Sequence, residues 1–454
     1  MTRFPLHSAP QWVEEFGSPL YVYDAQTISA QYERIANAFD PNISLGIHYA
    51  CKALNNINVL KLLRSLGAGL DAVSIGEVRL GLHAGFAPEE ILFTPNGVGM
   101  HEIREAAQLG VQINIDNLET LEEFANEFGN SVPVCVRINP HIMAGGNAKI
   151  SVGHIDSKFG ISIHQVRHLH RIVNTMGLHV HGLHMHTGSD ILDIDAFMRG
   201  AALLMDLAHD FKELSYIDFG SGFKVGYRPD ENTTDIEQFG AKMSERFRDF
   251  CMEYGRDLKL IFEPGKFLVS ESGIFLTTVN STKTTPSTVF AQVNSGFNHF
   301  PRPMLYDAYH YIENVTNPEG EPRIYTVVGY ICETDTFGYD RKIAEVRNGD
   351  VLAFHNAGAY CSTMASNYNS RVRPAEVMLI NGQPQLIKAR EEFEDLMHGQ
   401  IELDAFEPKK ETTLEELVMT EGKNPYLRYY DYLPHSYCSR YGPSPRTHHG
   451  TCHL

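Results

Sequence analysis

The chain is predicted to be α/β plus all-β, an N-terminal (β/α)8 TIM-type barrel followed by a C-terminal antiparallel β-barrel or sandwich domain. Three observations predict this. Between residues 45 and 265, eight short apolar or β-branched runs alternate with longer helical patterns. After residue 273 the texture changes to short, often alternating runs bounded by turn residues. The polar residues able to carry chemistry cluster at the ends of the eight runs, where a barrel collects its functional loops.

Taken in order, the runs are IHYAC (47–51), LDAV (70–73), ILFT (91–94), QINI (112–115), VCVRI (134–138), VHGLHMH (180–186), YIDF (216–219) and LIFE (260–263). A six-stranded doubly wound sheet leaves two of them unexplained. Between the first two, Val59, Leu62, Leu63 and Leu66 recur at helical spacing. Asn55 or Asn56 supplies the cap and Gly67 the stop. The stretch PHIMAGGNAKISVGHIDSKFGI (140–161) is long, polar and glycine-rich, and is expected to be an active-site loop. Later runs include GIFLTTVNSTKTT, STVFAQVNSG, RIYTVVGYICE, DVLAFHNAG, AEVMLING and QPQLIKA. PLYVYD (19–24) also reads as a strand. The expected division is a barrel over 26–275, a β domain from 1–25 and 276–400, and a peripheral extension over 401–454.

Composition narrows the function. A net charge of -18 and a pI near 5.6 disfavour a nucleic-acid partner. No apolar run is long enough to span a membrane, so no membrane partner is expected. The N-terminus has no apolar signal region, and the 7 scattered cysteines include no CxxC. A reducing cytoplasm is the expected location.

The strand ends then carry the argument. Lys52 follows the first run. The second holds Asp71 and is followed by Ser74 and Glu77. Asn96, Asp116, Arg137 and Asn139 come next, then His186 before TGSD, then DFGSGF and EPGK. Singly, each reads as a turn or a helix cap. Together they mark one mouth of a barrel. In DFGSGFKVG (218–226), the N–H groups around Gly220, Ser221 and Gly222 suit a phosphate, although a tight turn alone also explains the glycines. Glu263 of FEPGKF is a carboxylate in need of a partner, and a protonated ring nitrogen is one. His184 and His186 point to one side. His186 offers a ring for stacking. Two such histidines also suit zinc, but no third soft ligand is close in sequence. An amine, a phosphate turn, a carboxylate and a stacking ring converge on pyridoxal 5′-phosphate (PLP) held through Lys52. A carboxylate at the ring nitrogen favours decarboxylation, whereas an arginine there suits a racemase.

The motifs HYACKALNN, LDAVSIGE, VRINP, GHIDSKFGI, HMHTGSD, DFGSGF, EPGKF, RPMLYDAYH, CETDTF, AGAY and SNYNSRVRPAEV together resemble the fold-type III PLP-dependent decarboxylases. The resemblance runs over roughly residues 10–400 and is greatest to the diaminopimelate-specific branch. It implies a head-to-tail homodimer with active sites shared between subunits. It implies that Lys52 links covalently to the cofactor and that His186 stacks on its ring. Ser189 and Gly220 to Gly222 would hold the phosphate, and Glu263 the ring nitrogen. Asp71, Gly265 and Lys266 complete the cofactor set. Tyr360 would touch cofactor and substrate. Cys332, supplied by the partner subunit, would protonate the carbon that loses CO2. For a lone cysteine the plain alternative is a small buried hydrophobe.

The implied reaction converts meso-2,6-diaminopimelate to L-lysine and CO2, the last step of lysine synthesis. Arg302 and Tyr306 match the positions that bind the distal carboxylate, and Glu333 the one for the distal ammonium. Lys266 also falls in the substrate-binding set. An arginine fork suits a carboxylate. Arg302 in a plain interface ion pair is the alternative. Other readings are a decarboxylase of ornithine, lysine, arginine or a carboxylated polyamine, an amino-acid racemase, and a non-catalytic PLP-binding regulator. Two positions depart from the family: Lys266 stands where arginine is usual, and Thr334 where CES is commoner than CET. The tail residues His448, His449, His453, Cys438 and Cys452 fit no zinc spacing, and no metal is expected.

Overall fold

Short aliphatic runs in this chain are buried on both faces, the condition for a parallel sheet wrapped in helices. The structure, a computed structural model, describes residues 4–142, 156–188 and 190–406. The chain divides into two compact units, Met1–Leu396 and Met397–Leu454, and the site lies in the first. Helix α1 (Ala9–Phe16), strand β1 (Leu20–Asp24) and helix α2 (Ala25–Asn37) come first. The next strands are β2 (Leu45–Ala50), β3 (Gly69–Ala72), β4 (Ile91–Phe93), β5 (Gln112–Ile115), β6 (Val134–Asn139), β7 (Ile161–Ser162), β8 (Val180–His184), β9 (Tyr216–Asp218) and β10 (Lys259–Phe262). Their pairing order is β5-β4-β3-β2-β10-β9-β8-β6, and a further β5–β6 pairing closes the ring. All eight expected runs are strands of this parallel barrel, and β7 adds to β6 at its rim.

Helices α3 (Ile57–Ser65), α4 (Ile75–Ala84), α5 (Met100–Leu109), α6 (Leu118–Phe128), α7 (Val166–Met176), α8 (Ile194–Ala208), α9 (Ile236–Tyr254) and α10 (Lys266–Val269) link the strands. In α3, Asn56 accepts the Asn58 N–H at 3.0 Å, and Gly67 takes a left-handed φ of 95° just beyond the last turn. Val59, Leu60 and Leu63 are its buried face, each worth about 1.5–3 kcal/mol. Ser74 and Glu77 prove to be a capping box. Ser74 accepts the Glu77 N–H at 3.2 Å and Glu77 the Val73 N–H at 2.8 Å.

Two runs overshoot their strands. β2 stops at Ala50 because Cys51–Ala53 winds into a single tight turn, and β8 stops at His184 before the turn at Gly188. Lys52 and His186 therefore sit on loops just past the strands. Behind them, Phe223, Phe239 and Phe262 form a rigid floor. Phe223 and Phe239 meet edge to face at 5.1 Å, and Phe239 and Phe262 at 5.5 Å. Such pairs add about 0.5–1.5 kcal/mol each beyond burial.

The second sheet holds β11 (Gly273–Thr284), β12 (Val289–Val293), β13 (Ile312–Asn314), β14 (Pro322–Val328), β15 (Thr336–Ala344), β16 (Val351–Phe354), β17 (Ala375–Ile380) and β18 (Gln383–Lys388), with β1 between β11 and β17. It is mixed rather than wholly antiparallel, because β1 pairs with β17 and β12 with β14 in parallel. Neither pair is consecutive in the chain. Each is joined by a long crossover, which permits the parallel direction. Helix α11 (Arg302–Tyr306) hangs between β12 and β13. Among the described residues, no helix is long and apolar enough to cross a membrane.

Candidate active site

A lysine behind an apolar strand needs a counter-charge, and β3 supplies it. Lys52 Nζ lies 2.6 Å from Asp71 Oδ2, and Asp71 in turn accepts the Thr94 hydroxyl. The Lys52 side chain is 41% exposed, and that exposure faces a cavity of about 840 Å³. Burial works to lower the lysine pKa, but Asp71, then Tyr360 and Glu263, hold it above the ordinary value. Tyr360 reaches the same turn from the β domain. Its N–H donates to Ala53 O at 2.9 Å, and its left-handed φ of 56° sets it against the cavity.

Glu263 follows β10 directly and is 9% exposed. Its Oε2 lies 3.1 Å from His184 Nε2, while Oε1 has no partner. Burial alone would raise this carboxyl, yet His184, Lys52 and His186 hold it well below the usual range. His186 lines the cavity, and its Nδ1 accepts the Ser221 N–H at 3.2 Å. Burial, reinforced by Arg137, pushes its pKa down to about 3, so the ring is neutral. His184 and His186 thus have separate partners.

The glycine turn is strictly required. A Cβ on Gly222 (φ 133°) would lie 2.0 Å from Gly188 O, and one on Gly220 (φ 63°) 2.6 Å from His186 Nδ1. The Gly220 N–H donates to Asp218 Oδ1 at 2.8 Å and the Ser221 N–H to His186. These two donors are already used, which narrows the expected phosphate contact to the Gly222 end of the turn. Gly265 lines the cavity, and Lys266 Nζ pairs with Asp190 across it. Ser189 lies outside the described residues.

On the β-domain side, α11 places Arg302 and Tyr306 in the cavity wall. Arg302 is 9% exposed. Its Nε donates to His310 Nε2 at 3.3 Å, and its guanidinium stands over Tyr227 at 5.1 Å and Tyr306 at 5.8 Å. Among the described residues, no carboxylate lies within ion-pair reach of it. Cys332 and Glu333 are not brought to this cavity. Both are exposed, with Cys332 Sγ 3.5 Å from Asn369 Oδ1 and Glu333 Oε1 accepting the Tyr368 hydroxyl at 2.5 Å. Asp335 ties their loop down by accepting the Phe297 N–H at 2.7 Å and the Ile331 N–H at 2.9 Å.

Some strand-end residues serve the scaffold. Asn96 donates to Asp116 at 2.6 Å and to Lys158 O at 3.1 Å, anchoring the far end of the long loop whose residues 143–155 lie outside the described set. Thr94, Asp190 and Tyr227 were not singled out as site residues, because their partners are distant in the chain. Arg137 was visible as a strand-end residue, and its guanidinium covers Phe159 at 4.9 Å.

A flat anionic cofactor with a basic ring nitrogen and an aldehyde fits these residues. Glu263 offers an unpartnered buried oxygen, the glycine turn offers close backbone approach, and Lys52 offers an amine. Residues 25–270 match the family described as "Pyridoxal-dependent decarboxylase, pyridoxal binding domain". The chain is 39% identical over 401 residues to diaminopimelate decarboxylase of Methanothermobacter thermautotrophicus, covering 86% of this chain and 94% of that protein. It is 36% identical to the Vibrio cholerae enzyme of the same name, covering 84% and 92%. Among solved structures, Helicobacter pylori diaminopimelate decarboxylase complexed with L-lysine aligns with a TM-score of 0.78 at 32% identity, over 86% of this chain and 98% of that one. The chain belongs to the pyridoxal-dependent decarboxylases, in their diaminopimelate decarboxylase family.

Proposed function

We propose that this protein decarboxylates meso-2,6-diaminopimelate to L-lysine and CO2, the last step of lysine synthesis, with PLP as its cofactor. The observation that carries the substrate assignment is Arg302. A buried guanidinium without a carboxylate partner is costly, and a substrate carboxylate relieves that cost. A substrate ending in an amine alone would place like charges together.

Bound PLP supplies an electron sink for the pair left when the C–CO2 bond breaks. Lys52 would hold the cofactor through Nζ, with Asp71 and Thr94 fixing the direction of approach. Glu263 would hold the proton on the ring nitrogen, and neutral His186 would cover the ring face. Ser189, the Gly220–Ser221–Gly222 turn through its Gly222 end, Gly265 and Lys266 would take the phosphate. Arg302 and Tyr306 would bind the distal carboxylate, which leaves the carboxylate at the other carbon as the one lost. Lys266 and Tyr360 would also border the substrate.

Cys332 and Glu333 complete the reading from a second copy of the chain. In a homodimer, Cys332 Sγ of one protomer would deliver the proton that replaces CO2 in its partner, and Glu333 would take the distal ammonium. Their exposure in the single chain supports this arrangement. The same reading assigns 26–275 to the cofactor-binding barrel, 1–25 and 276–400 to the β domain, 401–454 to a peripheral extension, and the protein to the cytoplasm. The unpaired cysteines Cys51, Cys135, Cys251, Cys332 and Cys361 accord with a reducing compartment. A panel of diaminopimelate, ornithine, lysine and arginine, read by CO2 release, tests the substrate. Turnover of another amino acid with none of diaminopimelate would refute it. Sedimentation of a monomer at working concentration would refute the shared site.

A further inference from the structure

Beneath the cavity, three adjacent strand ends bring Glu263 together with two groups that the reading above leaves unused. His184, at the end of β8, is in register with Asp218, at the end of β9, and Glu263 follows β10. One donor or acceptor atom from each lies within 4.8 Å of the others. His184 is 1% exposed and Asp218 fully buried. His184 Nε2 holds Glu263 Oε2 at 3.1 Å. Asp218 Oδ1 accepts the Gly220 N–H at 2.8 Å, and the Glu263 N–H donates to Gly220 O at 2.8 Å, so one glycine locks both acids in place. Asp218 Oδ2 and Glu263 Oε1 meet no N–H or hydroxyl donor, and the two carboxyls hydrogen-bond each other when one of them carries a proton.

Two adjacent buried carboxylates cannot both ionise cheaply. Burial and the neighbouring Glu263 raise Asp218 well above its ordinary value, while Glu263 is held low. The pair is therefore biased toward a proton on Asp218 and a charge on Glu263.

We infer that His184 and Asp218 are positioning residues for Glu263: His184 fixes one carboxylate oxygen and Asp218 braces the carboxylate from the buried flank, so that Glu263 stays aimed at the cofactor's ring nitrogen. This rests on the assignment of Glu263 above and extends it to a three-residue unit. His184 acts by orienting the carboxylate, and Asp218 by keeping a second negative charge out.

The test uses the full-length PLP-loaded protein and reads kcat, KM, the cofactor's absorption spectrum and the PLP dissociation constant. In His184→Gln, kcat falls by about tenfold or more with KM little changed, and the absorption band shifts. The same change made in Glu263→Gln costs less than about twofold, because the carboxylate it served is gone. Asp218→Asn, a neutral isostere, rescues the spectrum and PLP affinity that Asp218→Ala loses. An undiminished His184→Gln effect in the Glu263→Gln background overturns the inference, as does Asp218→Asn damage equal to that of Asp218→Ala. Glu263→Gln that leaves both spectrum and kcat unchanged removes the Glu263 assignment itself, and the inference with it.

Discussion

On the barrel side of the cavity, Lys52 pairs with Asp71, Lys266 with Asp190 and Glu263 with His184. On the β-domain side, Arg302 is as buried as Glu263 yet, among the described residues, meets His310 and two tyrosine rings and no carboxylate. Charge in a low-dielectric wall must be compensated. Lys52, Lys266 and Glu263 are compensated within the chain, which suits a cofactor that stays, while Arg137 in the same wall is buried with its guanidinium over Phe159 and, among the described residues, has no ion pair. The β-domain side is left for a ligand that comes and goes. The exposed loop of Cys332 and Glu333 is a third case, since its groups do not line this cavity.

The comparison is broken most severely at Lys52. Lys52→Ala should lower activity by more than about 10³-fold and let PLP leave on dialysis, with the change seen as loss of cofactor absorbance. Retained tight PLP binding would contradict the barrel-side account. Cys332→Ala should cost about 10²–10³-fold in kcat while PLP affinity stays unchanged. Mixing it with Lys52→Ala should restore activity if sites are shared between subunits, and mixing without recovery argues against sharing. Arg302→Leu should raise KM for diaminopimelate by about 10–100-fold, the equivalent of about 1.5–3 kcal/mol, with a smaller effect on kcat. An unaltered KM would mean that the unpaired cation serves something else.

The smallest effect concerns pH. His310 donates Nδ1–H to His355 O at 2.8 Å and accepts from Arg302 at Nε2, so it must be neutral to hold Arg302. Burial, reinforced by Arg302, lowers its pKa from 6.5 to about 3, and burial lowers His48 to about 4. These folded values lie below the unfolded one. The unfolded chain therefore takes up protons that the fold refuses. The stability they contribute is present above about pH 6.5 and is lost as the pH falls toward 4. Denaturant unfolding at stepped pH should show this slope, and His310→Gln should flatten it.

The barrel was legible because its strands are continuous apolar runs with capped helices between them, as around Asn56 and Gly67. Strand ends were less so. The runs through Cys51 and His186 carry apolar residues into turns, where residue type no longer reports backbone direction. The parallel β1–β17 and β12–β14 pairings were hidden because partner choice across long crossovers leaves no local pattern. In the site, Lys52, Glu263 and the glycine turn stood out because they fall together at the ends of the strands, at one mouth of the barrel. Asp190, Thr94 and Tyr227 did not, because their importance comes from partners far along the chain. Ser74 and Glu77 looked like site residues and are a helix cap, while Asn96 both lines the cavity and anchors the long loop.

The most direct measurement is incubation of the purified protein with PLP and meso-2,6-diaminopimelate, with CO2 and L-lysine quantified together. Equimolar CO2 and L-lysine are the expected result, with no CO2 from ornithine, lysine or arginine under the same conditions. CO2 from one of those amino acids and none from diaminopimelate would contradict the account.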